Sequence, residues 1–485
     1  MLEESVRNKY EAVIGLEVHA QMLTKSKMFA SDSAEYGGRP NRHVSVITLG
    51  HPGTLPKPNR KAMDYAMRMG LACACEISRE NIFDRKNYFY PDLPKGYQLT
   101  QDKTPICIGG QVNITLAGGQ SRAIQLNRIH LEEDAGKSIH VQGEEDTLVD
   151  YNRAGVPLIE IVTEPDIHSS EEAYAFLTEV RRLVRYLDIC DGNMEEGSLR
   201  CDANISIRPV GETSLGKKVE VKNMNSIRNV ARAIDHEIER QIAETEKGNS
   251  IPSETRTFDS VTGTTAGMRT KEELNDYRYF PEPDISPLIV TDEWIEEVRR
   301  TMPSLPWELY ERFTREYGLP DYDASVITDN KEFARYFEAI CRDTTNYKSA
   351  SNWMMGPVKS HLNDHGIHAS ELAVKPAQVA TLINMVDENK VSVTAAQQSI
   401  FPALVDNPEK TPEQVAEELN LVQESNDDAL LPIIREVLEA NPDKVKAYQK
   451  GKKGLIGMFM GEVMKKSGGK ADPKKTNELL RQELG

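Results

Sequence analysis

Five strand-like stretches of this sequence carry an acidic side chain, and in two of them a histidine stands two residues away. In Ile14-Gly15-Leu16-Glu17-Val18-His19-Ala20-Gln21, apolar Ile14, Leu16 and Val18 alternate with Gly15, Glu17, His19 and Gln21. That is the period of a strand with one polar face. Glu17 and His19 then project from the same side, roughly 7 Å apart along the strand. In Ser198 to Arg208, Leu199, Cys201, Ala203, Ile205 and Ile207 alternate with Arg200, Asp202, Asn204, Ser206 and Arg208. Cation, acid and amide in a row suit phosphate and divalent-metal contacts. Extended, Arg128 to Asp134 puts His130, Glu132 and Asp134 on one side, and Lys218 to Asn223 does the same for Glu220 and Lys222. Glu160 interrupts the apolar run Pro157-Leu158-Ile159-Glu160-Ile161-Val162. A carboxylate there is costly unless paired or metal-bound. Core ion pairs could account for any one of these acids. So many acid-bearing strands in one domain favour a shared site for a hard cation, Mg²⁺, with one histidine tolerated.

Neither GxxxxGK[ST] nor a strand-GxGxxG-helix unit is present. If the domain binds a nucleotide, metal ions and arginines must hold its phosphates, with Arg153, Arg200 and Arg208 as candidates. The segment Asp84 to Gln98 is dense in Tyr, Lys and Pro. It reads as a packed loop or as the wall of a polar passage.

These strands are not separated by regular helices, which points to an α+β domain on a mainly antiparallel sheet. Two helices stand out before residue 290. One has the capping box Ser169 and Glu172, with a stripe of Phe176, Val180, Leu183, Val184 and Leu187. The other runs from about Ser226 to Glu246. From Glu293 onward the pattern is helical, with breaks expected at Pro303, Pro306, Pro320 and Pro357. A last helical unit is expected from the capping box at Thr411 and Gln414, with Asp472-Pro473 opening a final helix. The expected organisation is thus 1–293, 294–408 and 409–485.

The chain has 485 residues, 39% hydrophobic and 28% charged, ample for several cores. No run of about 18 apolar residues suggests a membrane span. The acidic N-terminus does not read as a secretory leader, so a cytoplasmic protein is expected. The six cysteines form no CxxC pair. Net charge is −17, yet Lys444 to Gly485 carries 11 Lys and Arg against 4 Asp and Glu, a net of +7, leaving −24 elsewhere. One basic end on an acidic protein is a local nucleic-acid footprint, or a solvated lysine face. Its candidates for RNA contact are Lys452, Lys453, Lys465, Lys466 and Lys470. Gly454 to Lys470 reads as a short helix with a Met/Phe core stripe, ended by glycines.

Longer motifs now carry a resemblance. They are Ile14 to His19, Phe83 to Gln98, Leu131 to Lys137, Asp150 to Leu158, Asn193 to Asn204, Lys222 to Ser226 and Asp276 to Pro281. Through them the chain resembles the GatB family, the B subunits of aspartyl/glutamyl-tRNA amidotransferases, over essentially its whole length. The resemblance implies a catalytic cradle similar to the glutamine synthetase sheet, then an all-α helical domain and an α-helical tail domain that binds tRNA. It implies work in a heterotrimer with an amidase A subunit and a small C subunit. ATP would phosphorylate the side-chain carboxylate of Glu on tRNA(Gln) or of Asp on tRNA(Asn), and channelled ammonia would displace the phosphate. By matching position, His19, Glu132 and Glu160 would hold one Mg²⁺, Glu17 and Asp202 a second that accompanies ATP. Lys86, Tyr88 and Lys95 would line the ammonia path. Some members carry cysteine pairs in the early loops. Here those stretches read Phe29 to Ser33 and Val44 to Gly50, without thiols, so no zinc is expected. Phe280 leads almost directly into the helical region, leaving no room for the inserted domain of the archaeal glutamate-specific counterpart. A non-catalytic tRNA-binding scaffold and a free-standing glutamate:ammonia ligase remain as other readings. The choice between tRNA(Gln) and tRNA(Asn) stays open.

Overall fold

The computed structural model describes residues 3–140, 143, 145–270, 277–423, 427–468 and 470–485. Met1 and Leu2 of the N-terminus, Asp276 of the motif ending at Pro281, and Gly469 of the tail stretch lie outside the described residues. The chain divides into two compact units, residues 1–305 and 306–485.

The first unit is built on a ten-stranded sheet. Its strands are β1 (Tyr10–Gln21), β2 (Glu76–Ile77), β3 (Cys107–Ile108), β4 (Gln111–Thr115), β5 (Ser121–Glu133), β6 (Pro157–Thr163), β7 (Leu199–Pro209), β8 (Val219–Lys222), β9 (Glu254–Asp259) and β10 (Thr264–Thr270). The order is β10-β9-β8-β7-β1-β6-β5-β3-β2, with β4 also on β5. Every pairing is antiparallel except β8 with β9. The sheet is therefore mixed, by one parallel pair. β1 sits between β7 and β6 because its apolar residues are fully buried. Ile14, Leu16, Val18 and Ala20 have no exposed surface, while Glu17, His19 and Gln21 on the other face are only half-buried.

Helices α1 (Arg60–Ala72), α2 (Ser170–Tyr186), α3 (Ile227–Glu246) and α4 (Asp292–Arg300) belong to the same core as the apolar sheet face. The Ser169 side chain accepts from the Glu172 N–H at 3.1 Å, starting α2, and Phe176, Val180, Leu183 and Val184 are buried as their spacing predicts. The Ser226 side chain does the same for α3, accepting from the Asn229 N–H at 3.1 Å. Helix α1 was not expected. Its buried residues Ala62, Met63, Ala66, Met67, Met69 and Gly70 wrap too much of the helix to leave a narrow stripe. Gly70 lies so close to Cys107 of β3 that an added Cβ would collide with its thiol.

The first unit runs past the boundary expected at 293. Trp294 on α4 donates its indole N–H to Asp64 on α1 at 2.8 Å, and Arg60 lies 4.5 Å over the same ring. Ile295 and Val298 are buried in the sheet domain's core. These contacts carry the unit to Leu305.

The second unit is helical among its described residues. Pro306 opens Pro306–Arg315 at its first position, as proline should, and Pro320 directly precedes Asp321–Asp329 without a side-chain cap. Pro357 does not break its helix. Tyr347–Trp353 continues through a π-helical turn, Met354–Val358, into Lys359–His365. A widened turn accommodates the ring and the missing N–H without ending the helix. Toward the C-terminus a separate core gathers Leu430, Ile434, Val437, Phe459, Val463, Leu479, Leu480 and Leu484. Phe459 and Val463 supply the core stripe of Ile456–Lys466, and Gly468 follows that helix at a φ of +64°. Thr411 and Gln414 form the expected capping box of Pro412–Glu418, and Asp472 caps Pro473–Leu484.

Candidate active site

Register on the polar sheet face brings the alternating acids together. Opposite residues of an antiparallel pair project to the same side, about 4.5–5.5 Å apart at Cα. Across β1, His19 faces Arg200 on β7 and Glu160 on β6, and Glu160 faces His130 on β5. One position along, Glu17 faces Asp202 of β7, whose neighbour Asn204 faces Glu220 of β8. Leu158 of β6 brings up Glu132 of β5.

Two clusters result. His19 Nε2 lies 3.5 Å from Glu132 Oε1 and 3.6 Å from Glu160 Oε2. In this trio one ligand atom from each residue lies within 4.8 Å of the others. The second trio, Glu17, Asp202 and Glu220, meets the same 4.8 Å limit. Glu132 is 3% exposed, buried enough that its charge needs a partner.

The electrostatics show what each cluster lacks. Burial, and then the neighbouring Glu160, push the Glu132 carboxyl above its usual range. Burial works on Glu160 too, but His19 and His130 outweigh it and hold that carboxyl low. His130 Nε2 is 3.0 Å from Glu160 Oε2. Burial raises Glu17, and Glu160 raises it further, against a hydrogen bond donated by Asn204 Nδ2 at 2.9 Å. Asn204 Oδ1 is buried without a hydrogen-bond partner. Lys222 bridges Asp202 and Glu220, at 3.1 Å to the latter, and against burial these acids hold its ammonium well above the usual lysine range. Mutually repelling carboxylates and an orphaned amide oxygen are a donor set for a hard divalent cation, and a single imidazole in the first trio is compatible with one.

The remaining candidates fall in three places. Arg200 donates to Asp134 Oδ2 at 2.8 Å, and Gln21 Nε2 donates to the same oxygen at 2.6 Å. Arg153 reaches the carbonyls of Ala135 and Gly136 at 2.9 and 2.5 Å and lies 3.7 Å from Asp134. Buried Asp134 would rise, but Arg200 and Arg153 hold it below the usual carboxylate range. Arg208 stands apart. It pairs with Glu11 at 2.8 Å, eight residues along β7 from Arg200, roughly 26 Å. Lys86 and Tyr88 do line the cluster, in a cavity of about 490 Å³ that also takes in His19, Glu132, Arg200, Asp202 and Lys222. Against burial, Glu132 holds Lys86 above its usual value. Lys95 pairs with Glu133 and faces a smaller cavity of about 40 Å³, shared with Lys27 and Phe29. The Gln98 amide links the two by donating to the Glu133 carbonyl at 2.8 Å while lining the larger cavity. In the second unit, Lys452, Lys453, Lys465, Lys466 and Lys470 are all exposed. Lys453 sits 4.2 Å over the Tyr448 ring and Lys466 pairs with Glu436 at 2.6 Å.

Sequence reasoning put Glu220, Lys222, Asn204, His130 and Asp134 on polar strand faces but assigned none of them to either metal shell. Their polar-face phase was readable. Which neighbour each one meets was not, because that depends on strand order.

Known proteins match this chain over nearly its whole length. A model of the GatB/GatE catalytic domain matches residues 12–296, and a model of the GatB domain matches residues 335–484. The B subunit of the aspartyl/glutamyl-tRNA(Asn/Gln) amidotransferase of Caldicellulosiruptor bescii is 49% identical over 479 residues, 98% of this chain and 99% of that one. Those of Thermoanaerobacter pseudethanolicus and Alkalilimnicola ehrlichii are 48% and 47% identical, each over 98% of this chain and 99% of the relative.

Proposed function

The chain belongs to the GatB family, and from that premise we propose that it is the subunit of a tRNA-dependent amidotransferase that activates and amidates a tRNA-borne carboxylate. The observation that supports this most is the pair of acid clusters side by side on one sheet face, with Arg200, Lys86 and Lys222 around them.

A carboxylate is a poor acylating agent. Attack by its oxygen on the terminal phosphorus of ATP forms an acyl phosphate and breaks the bond to ADP. Ammonia nitrogen then attacks the acyl carbon, inorganic phosphate leaves, and the amide remains. Both steps gather negative charge, so neutralisation and positioning dominate. Two Mg²⁺ ions, held by His19, Glu132 and Glu160 and by Glu17, Asp202 and Glu220, would supply most of that neutralisation. Arg200, fixed by Asp134, offers a guanidinium to phosphate or substrate carboxylate. Lys86 stays protonated beside Glu132 and adds a fourth cation. The small cavity by Lys95 has room for a molecule the size of ammonia and shares a wall with the larger one. That passage, entered from a partner amidase A subunit braced by a C subunit, would deliver ammonia past Tyr88.

The test is amidation by the reconstituted complex with ATP, ammonium chloride and each mischarged tRNA in turn. Asp202→Asn and Glu17→Gln are expected to abolish both ADP release and amide formation. Full amide formation by either variant would overturn the cluster's role. Amidation of free glutamate without tRNA would favour a free-standing ligase. The basic tail favours a scaffold as second reading, which predicts tRNA binding by a wild-type complex that turns over no ATP.

A further inference from the structure

Beside the acid clusters runs a chain of four tyrosines, of which the chemistry above uses only Tyr88. Tyr90, Tyr88, Tyr277 and Tyr279 pack edge to face, with successive centroids 5.9, 6.0 and 6.0 Å apart. Its middle is half-buried on the cavity wall, where Tyr88 lines the site. Its ends are open: Tyr90 is 54% and Tyr279 40% exposed, and Phe280 beside Tyr279 is 44% exposed. Cations are interleaved with the rings. Lys86 Nζ lies 4.9 Å over Tyr277 and 5.9 Å over Tyr88, and the Arg85 guanidinium lies 5.6 Å over Phe280. Arg128 and Lys86 are both near enough to act on the Tyr279 hydroxyl.

A buried aromatic cluster would hide its ring faces. This one half-buries its inner rings and leaves its outer rings open to solvent, with Lys86 and the Glu282-bound Arg85 alongside. Aromatic planes alternating with cations fit unpaired nucleotides, because every base has a π-face and every linkage a negative charge. An apolar protein partner would not need the cations.

We infer that Tyr279 and Phe280, braced by Tyr277 and Tyr88, form a stacking platform for the unpaired 3′ end of the RNA that carries the substrate carboxylate. The inference rests on the proposed function and deepens it by placing the RNA end on one side of the cavity. Stacking on the outer rings would guide the terminal nucleotide inward, so that its esterified side chain reaches His19 and Asp202. The rings touch no reacting atom; they position.

Two measurements test this. In the full complex, with ammonium chloride as nitrogen source, Tyr279→Ala should raise KM for the mischarged tRNA about tenfold, within the range typical for loss of one stacked base. Its kcat and its KM for ATP should not change, and Tyr279→Trp should restore the tRNA KM. Separately, anisotropy of a labelled single-stranded CCA-ended oligoribonucleotide should report binding to the wild-type chain that Tyr279→Ala weakens and Tyr279→Trp keeps. That second readout needs no catalysis, so it stands even if the wild-type complex amidates nothing. An unchanged tRNA KM together with unchanged oligonucleotide binding would overturn the platform. Loss of the A subunit from the Tyr279→Ala complex in sedimentation, with RNA binding intact, would also overturn it, by assigning the rings to a protein interface.

Discussion

Lys222 offers the sharpest test of the second acid cluster, because its ammonium touches both Asp202 and Glu220. Lys222→Met keeps the side chain's length and removes its charge. Three carboxylates, with ligand atoms within 4.8 Å of one another, then face each other without a cation between them, Asn204 donating to Glu17 and Thr255 to Glu220. Removing one partner of a buried ion pair costs about 3–5 kcal/mol. The Lys222 side chain is 32% exposed, so solvent screens part of this and about 2–3 kcal/mol is expected. Unfolding entropy near 2.1 cal/mol/K per residue gives the first unit, residues 1–305, about 0.6 kcal/mol/K, so its transition should fall by about 4 °C. Calorimetry in EDTA measures this. Magnesium should then rescue the variant. An ion at a hundred times its Kd contributes about 2.7 kcal/mol, enough to offset the loss. In the wild type the same ion must first displace the ammonium, so its Mg²⁺-induced shift should be smaller. If Lys222→Met melts with the wild type in EDTA, or if Mg²⁺ shifts both proteins equally, the cluster is not a cation site.

Three further outcomes follow from other parts of the chain. Burial pushes the Lys27 ammonium down to about 8, with the His43 and Tyr151 carbonyls accepting from it at 2.6 and 3.3 Å. Since its folded pKa lies below the ordinary lysine value, the unfolded chain binds more protons between these two values. Stability should therefore rise from about pH 8 toward pH 10, and Lys27→Met should remove that rise in urea titrations. Ser226→Ala deletes the cap of α3 and should cost about 1 kcal/mol, read as a shift in denaturation midpoint at constant m. Replacing Lys452, Lys453, Lys465, Lys466 and Lys470 with alanine should weaken tRNA binding and flatten its salt dependence by about 0.7–0.9 log units for each phosphate no longer neutralised. Unchanged affinity would remove the tail from RNA recognition. Truncation before Lys444 is a poorer test, because Tyr448, Phe459 and Leu480 belong to the core under Leu430 and Ile434.

The legible features were those set by local phase. β1 and β7 alternate so cleanly that Glu17, His19, Arg200 and Asp202 could be assigned to polar faces from sequence. Serine and threonine caps marked α2 and Pro412–Glu418 for the same reason, since the cap bond spans only three residues. Features set by distant neighbours were hidden. Helix α1 buries nearly its whole girth against β5 and α4, so its sequence shows Ala and Met without a stripe. Pro357 reads as a stop, and only the surrounding helices make a π turn the better solution. Spacing alone gives the other half of the lesson at Arg208. Its side chain has the right phase, yet eight residues from Arg200 is too far for one triphosphate to span from phosphate to phosphate.

The division of labour on β1 gains a physical basis from strand order. His19 and Glu17 leave the same face two residues apart, but they meet different strands. His19 falls between Arg200 and Glu160, within reach of Glu132, where two imidazoles and a lysine surround two acids. Glu17 falls beside Asp202 and near Glu220, where one lysine faces three acids. The first cluster sets two acids against one lysine and two imidazoles, the second three acids against one lysine, so the second holds the larger uncompensated negative charge. The second should therefore be the one whose occupancy depends on what arrives with the nucleotide. Titrating Mn²⁺ into the wild-type chain with and without a non-hydrolysable ATP analogue, followed by electron paramagnetic resonance, separates the two. Binding lost in Glu160→Gln should be independent of nucleotide, and binding lost in Asp202→Asn should require it. Two nucleotide-independent sites of equal affinity would refute the asymmetry that β1 imposes.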